Sequence, residues 1–398
     1  AVDPAVRDRL RAAWQVLAVA DGDRRAAIDT VLGHPYLRVW AVRCLEQLGR
    51  AGSAEHHDDE GLAADLEQLG AIAAAVAIRG QARALVTVPV VEGAVHLPGL
   101  GRLVVASTKE AQAFLEVDAD WMRVRLGTDT WRLARPRMLA GEALTAEPCP
   151  PEGVPGAADS GPKPAWEPVR VLTAPGIRVA LEDTDPYRDC HQWPAASRLT
   201  DEAFADWQRG FALAWREIQT HHPAYAPALA AGLTTLMPMK AADGTDVSAA
   251  ARHGFGAVGA ALPADPVTLA LLLMHEFQHV KLGAVLDLYD LFDPDDKRLY
   301  HAPWRKDPRP LEGLLQGTYA HLAVSEFWRV RAGLGEHDRA EAAERYEHWR
   351  AHTAAAIETL ANSGSLTPLG MQFTDAMRTA IAAQLEPLEQ RFQPEDRK

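Results

Sequence analysis

The stretch LLLMHEFQHVKLGAVLDL constrains this chain more than any other, because it is a helix-length apolar run with the pattern HExxH at its centre. At helical pitch His275 and His279 stand one above the other and can share one metal ion, while Glu276 projects beside the open coordination position. A functional metal site is therefore expected. The competing reading is a core helix whose two histidines are satisfied by their neighbours.

Two histidines do not complete a site, and the third ligand decides the chemistry. The metzincin extension HExxHxxGxxH is excluded, since Leu282 stands at the glycine position and Val285 at that of the third histidine. A gluzincin-like site would draw a glutamate from the later segment RPLEGLLQGTYAHLAVSEFWR, where Glu312 and Glu326 are available. His321 lies in the same segment. Because Gly313, Gly317 and His321 recur every four residues, the glycines are expected to let this helix approach the HExxH helix closely, with His321 at the contact. His321 is the preferred third ligand and Glu312 the alternative; a core histidine and an ordinary first-turn acid are the competing readings.

Just before that helix, YHAPWRKDPRP forms a proline-stiffened loop carrying Arg305 and Arg309. A guanidinium recognises a carboxylate through two parallel hydrogen bonds, so either arginine can hold a carboxylate-bearing cosubstrate beside the ion. Pairing with Asp307 or with the loop's own carbonyls is the alternative. The second pair at i, i+4, His348 and His352, lacks a flanking glutamate and reads as the surface of a charged helix. The run EHHDDE at 55–60 reads as a solvated loop, because adjacent polar residues do not converge on one ion without a scaffold.

The remainder of the chain divides by periodicity. Residues 1–82 carry apolar residues at helical spacing and are expected to form an α-helical module, in which His34, Tyr36, Arg38 and Trp40 of HPYLRVW pack a helix start on a neighbour or offer a recognition surface. Residues 83–185 alternate and break at Gly and Pro-Gly turns, which predicts strands and hairpins around a Pro/Gly-rich loop at 145–168. In 186–398 a helix begins after Thr200 and buries Phe204, Trp207, Phe211, Trp215 and Ile218, followed by the metal-binding helices. The Gly- and Ala-rich SAAARHGFGAVGAAL suits a strand or loop that another backbone approaches closely. The expected fold is α+β, with an N-terminal helical module, a central β-rich region and a mainly helical, zincin-like metal-binding part.

A net charge of −13 over 398 residues argues against a general nucleic-acid or membrane-surface role. Cys44, Cys149 and Cys190 form no CxxC pair, so neither a disulfide framework nor a cysteine metal site is indicated, and a reducing cytoplasm fits. No signal peptide opens the chain, and the longest apolar runs are expected to be too short or too interrupted by charge to span a bilayer. The first residue is Ala, as after tag cleavage or excision from a longer polypeptide, and these two remain open.

Five separated blocks, HPYLRVWAVRCL, LEDTDPYRDCHQW, HEFQHVKL, YHAPWRKDPRPLEGLLQGTYAHLAVSEFWR and LTPLGMQF, resemble one family over nearly the whole chain. It comprises the HExxH-motif peptide-modification proteins encoded with, or fused to, radical SAM/SPASM cyclophane synthases in actinobacterial peptide natural-product clusters. The resemblance implies a 2-oxoglutarate-dependent non-haem iron enzyme that β-hydroxylates a residue of a ribosomally made precursor peptide. Fe(II) would then be held by His275, His279 and a third ligand, with Arg305 or Arg309 on the distal carboxylate of 2-oxoglutarate. Glu276, the expected catalytic residue, would orient a ligand or substrate instead of activating water. The radical SAM partner lies outside this sequence, which has no CxxxCxxC. Two other readings are weighed: a zinc peptidase that trims a leader peptide with Glu276 as general base, and a non-catalytic peptide-recognition protein with a structural metal.

Overall fold

The apolar spacings noted above become helices and strands in a computed structural model that describes residues 3–50, 59–105, 110–149, 163–241, 245–334 and 338–385. The fold is α+β. Its chain divides into two compact units, residues 1–171 with 180–200, and residues 172–179 with 201–398.

The first unit opens with α1 (Pro4–Asp23), α2 (Arg25–Leu32), α3 (Pro35–Arg50) and α4 (Asp59–Gly80). The second half of α4 is wholly buried from Ala71 to Ile78. Its alanines leave room for close packing, and a Cβ at Gly70 would lie 2.0 Å from the Thr87 carbonyl oxygen, so only glycine permits this approach of helix to strand. Strands follow: β1 (Ala84–Pro89), β2 (Ala94–Leu97), β3 (Gly101–Val104), β4 (Gln112–Val117), β5 (Trp121–Leu126) and β6 (Asp129–Ala134). After the short α5 (Arg135–Leu139) come β7 (Leu144–Thr145), β8 (Glu147–Pro148) and β9 (Ala165–Pro168). They form two sheets, in the orders β1-β4-β5-β6-β8 and β2-β3-β9-β7. Helical and strand residues, among them Val31, Ile72, Ile78, Leu103, Leu115, Met122 and Trp166, share a single core. The expected helical module and β-rich region are therefore one body, because the apolar faces of α4 and the sheets have each other to bury against. The described flanks of the 145–168 loop are tied in by β7, β8 and β9, while 150–162 and the 55–58 part of the EHHDDE run lie outside the described residues.

The hairpin of β10 (Arg170–Ala174) and β11 (Ile177–Leu181) turns at Gly176, whose φ of +81° is a conformation that glycine adopts without strain. Its residues 172–179 belong to the second unit, and the chain then returns to the first for 180–200. The second unit continues with α6 (Asp201–His221), α7 (Ala226–Gly232), β12 (Thr235–Pro238), β13 (Ser248–Ala250), β14 (Ala257–Ala260) and α8 (Pro266–Leu288). Its sheet runs β10-β11-β12-β14-β13, with β12 and β14 parallel and the terminal strand β13 antiparallel to β14. After α8 come the two-residue strands β15 (Leu299–Tyr300) and β16 (Arg309–Pro310), then α9 (Leu311–Gly333), α10 (Arg339–Ala361) and α11 (Pro368–Ala383). Helix α8 lies between α6 and α9 and against β13 and β14, and α10 packs on α9. The expected apolar face of α6 is present, with Trp207, Phe211, Trp215 and Ile218 buried, although Phe204 in the first turn is only half-buried.

One expectation needs correcting. Gly61–Gly80 and Pro266–Leu288 are both long and apolar enough to cross a membrane. Their most apolar windows are 72% and 56% buried inside the protein, as in core helices of a soluble protein.

Candidate metal centre

Helix α8 starts where its sequence says it should. The Asp265 carboxylate accepts from the Val267 amide and Pro266 occupies the first turn, so the helix is capped and needs no donor there. Ten residues between Leu269 and Gly283 are buried, Glu276 among them. The ring centroids of His275 and His279 are 5.0 Å apart, and ligand atoms of His275, Glu276 and His279 all lie within 4.8 Å of one another.

The next helix lies beside this group. On α9 the His321 ring meets that of His275 edge-on, with centroids 5.1 Å apart. His321 Nδ1 lies 2.7 Å from the Gly317 carbonyl and donates its proton there, which leaves Nε2 with its lone pair. His279 Nδ1 lies 3.2 Å from Gln316 Oε1, and the same tautomer follows. Such tethers on the non-ligating nitrogen orient metal-binding imidazoles. Desolvation lowers the pKa of His275 to about 3, helped by the neighbouring His279. Burial likewise brings His321 to about 3, with His275 adding to the effect. These two imidazoles are therefore neutral, as metal binding requires, through the whole physiological range.

Glu276 is held separately. Its Oε1 accepts from the Ser248 hydroxyl of β13 at 2.7 Å and lies 3.9 Å from His275 Nε2. The same terminal strand thus reaches the centre of the site.

The other candidates are placed elsewhere. Arg252 lies 2.7 Å from Asp287 and 3.7 Å from Glu312, so it draws Glu312 toward the end of α8. Glu326 takes both guanidinium bonds of Arg329, at 2.7 and 2.8 Å. Arg305 closes its fork on Asp307, with bonds of 3.1 and 3.0 Å. Arg309 comes no closer than 3.7 Å to Asp307 and lies across Gly313, where its Nε would be 3.3 Å from a Cβ. Gly317 is covered in the same way by Trp304, whose Cζ2 would be 2.6 Å from a Cβ. The glycines of α9 therefore make room for side chains of the 301–310 loop and not, as expected, for the backbone of α8. Glycine spacing shows that something approaches but not what.

No family model matches this chain, and no curated protein matches it.

Trp304 of the loop 301–310 is near the centre, as the sequence places it, whereas Ser248, Gln316 and Trp349 are brought there by the fold, the first two without a sequence signal of their own. Trp349 was legible in principle, since it lies four residues before the buried Thr353 and eight before the buried Ile357, on the inward face of α10. The exposed charges of YEHWRAHTA masked that stripe. His348 and His352 lie on the same helix with rings 4.1 Å apart, His348 exposed and His352 half-buried.

A second buried polar cluster occupies the first unit, and two of the resembling blocks build it. His34 at the turn before α3 lies with Nε2 3.4 Å from Glu182 and Nδ1 3.8 Å from Asp185. Tyr36 bonds His191 at 3.2 Å, and Tyr187 donates to Asp65 at 3.0 Å. Glu182 also accepts from the Thr184 amide and hydroxyl and from the Asp185 amide. Although burial opposes it, the His34 contact and these donors lower the Glu182 pKa to about 2. Burial raises Asp185 to about 6. A helix start docked on a neighbour is thus the role of HPYLRVW here, with an ionic network as the glue.

Proposed function

We propose that this chain is an Fe(II)- and 2-oxoglutarate-dependent oxygenase that β-hydroxylates a residue of a ribosomally made precursor peptide. The observation that carries this reading is the His275–Glu276–His279 group of α8, with the His321 ring of α9 5.1 Å from that of His275 and the Nδ1 atoms of His279 and His321 both tethered. A face of imidazoles fits Fe(II) and leaves positions for a bidentate keto acid. When bound, iron and 2-oxoglutarate would activate dioxygen, one atom of which turns a peptide C–H into C–OH while the other leaves in the succinate formed as 2-oxoglutarate loses carbon dioxide.

The chain's own residues do the rest. Arg309 is the better placed of the two arginines for the distal carboxylate, since Arg305 already spends both guanidinium bonds on Asp307. Glu276, fixed by Ser248, orients what lies beside the metal. An extended peptide, on this reading, pairs along the terminal strand β13, which that bond joins to the site. In this reading the helices and sheet of the second unit form the zincin-like part, and the peptide is shared with a radical SAM/SPASM cyclophane synthase, encoded alongside or fused, in the cytoplasm. The acidic balance of the chain, −13, gives no support to a nucleic-acid partner.

A zinc peptidase has one observation in its favour: three histidines are also an established zinc set. Anaerobic titration of metal-free protein with Fe(II) and then 2-oxoglutarate separates the readings. The expected result is a weak visible charge-transfer band that disappears in His275→Ala or His279→Ala. Absence of the band together with tight zinc retention would turn the assignment to leader-peptide cleavage, in which Glu276→Gln would abolish activity; in the oxygenase that substitution leaves a measurable fraction.

A further inference from the structure

His321 is enclosed by two indoles. Trp304, from the loop between β15 and β16, stacks on it at a centroid distance of 4.2 Å with 25° between planes. Trp349, from α10, does so at 4.7 Å and also 25°. Two indoles nearly parallel to one five-membered ring have room only on its opposite faces. The third constraint is the hydrogen bond from Nδ1 to the Gly317 carbonyl, one helical turn back. What remains is the edge carrying Nε2, and the ring of His275 lies edge-on at 5.1 Å.

The sequence provides for this enclosure in two ways. Gly317 serves twice, since its carbonyl holds Nδ1 and its missing side chain admits Trp304. Trp349 is carried on α10 above the buried Thr353 and Ile357, so the packing of α10 on α9 sets where the indole lies. An imidazole on α9 can otherwise rotate about χ1 and χ2, and a change of χ1 swings the ring away from its edge-on contact with His275.

We propose that Trp349 is a positioning residue for the metal, holding His321 in the one rotamer that completes the site. This rests on the reading of His321 as third ligand. Neighbours that orient a ligating histidine typically change metal affinity by about 10- to 100-fold, and Trp349 acts in that range without touching the ion.

The test uses cobaltous chloride as the probe on the full-length, metal-free chain, reading both affinity and the visible d–d spectrum. In Trp349→Ala, affinity for Co(II) falls about tenfold or more and the spectrum changes, whereas Trp349→Phe, which keeps a ring on His321, restores both. Wild-type affinity and spectrum in a folded Trp349→Ala protein would overturn the proposal. Should that variant not fold, Trp349→Leu keeps apolar bulk without a ring, and wild-type behaviour there would overturn it equally. His321→Ala is measured in parallel. If that variant binds Co(II) like the wild type, the ligand assignment itself fails; if it does not, while Trp349→Ala does, only the role of Trp349 fails.

Discussion

His222 shows how much a single buried side chain can report. It is stacked on Phe327 at 4.7 Å with 13° between planes, 3% exposed, and neither ring nitrogen has a hydrogen-bond partner among the described residues. Burial lowers its pKa to about 3, so the folded protein keeps it neutral while the unfolded chain protonates it below about 6.5. The unfolded state therefore gains from acid and the folded state does not. Replacing His222 by Phe removes that penalty, and the change in stability relative to wild type is expected to be more favourable at pH 5 than at pH 7 by about 2 kcal/mol. Urea unfolding at the two pH values measures it, and an equal effect at both would show that His222 takes up its proton in the folded state. By contrast Ser248 and Glu276 form one unit. Ser248→Ala leaves Glu276 Oε1 without its 2.7 Å donor, and is expected to alter the Co(II) spectrum while leaving the unfolding midpoint nearly unchanged.

The closing block LTPLGMQF belongs to the construction of α11. Thr367 caps that helix by accepting from the Gly370 amide at 3.1 Å and donates its hydroxyl proton to the Asp290 carbonyl at 2.7 Å. Leu366 forms a bridge with Phe292. A Cβ at Gly370 would lie 1.8 Å from the Leu291 carbonyl oxygen, so this turn of α11 rests directly on the chain leaving α8. Gly370→Ala must push two backbones apart and is expected to cost about 3 kcal/mol, as overpacking of a rigid contact does. Differential scanning calorimetry would show a lowered transition; an unshifted one would mean that α11 slides freely. Gly317→Ala is the contrasting case, since the atoms nearest its Cβ would all be of the Trp304 side chain, and a side chain can move where a backbone cannot.

The two units answer acid differently. In the second, His222, His275 and His321 all have pKa values lowered to about 3, so its stability without metal falls as pH drops from about 6.5 toward 3, with up to three protons taken up on unfolding. In the first, Asp185 is raised to about 6 and His34 is raised as well, so with both of these acid favours the folded form, while His96, lowered to about 4 by burial, opposes them. Glu182, lowered to about 2, holds its share of stability until pH falls below the ordinary carboxylate range and loses it through about 2. Thermal unfolding of the metal-free chain between pH 7 and 5 is therefore expected to lower the transition of the second unit much more than that of the first. A parallel shift of both would contradict these assignments. Removing the central imidazole is the sharper test. His34→Ala leaves Glu182 and Asp185 buried together without their partner, and a loss of about 3–5 kcal/mol is expected from the first unit.

Local pattern alone was enough for the HExxH helix, the apolar face of α6, the hairpin at Gly176 and the pairing of His275 with His279, because each depends on residues within a few turns of one another. Periodicity states which face of an element is apolar; it does not state what that face meets. Hence 1–82 and 83–185 looked like two regions although α4 and the sheets bury one another, and two core helices carry membrane-length apolarity that is spent inside the protein. The same limit governs the site. His321 stood out by its spacing from Gly313 and Gly317, but only the folded chain could show Arg309 and Trp304 filling those glycines, Glu312 drawn to Arg252, and Trp349 brought from α10 onto the imidazole. Those contacts join residues far apart in sequence, and their partners are selected by the packing of whole helices.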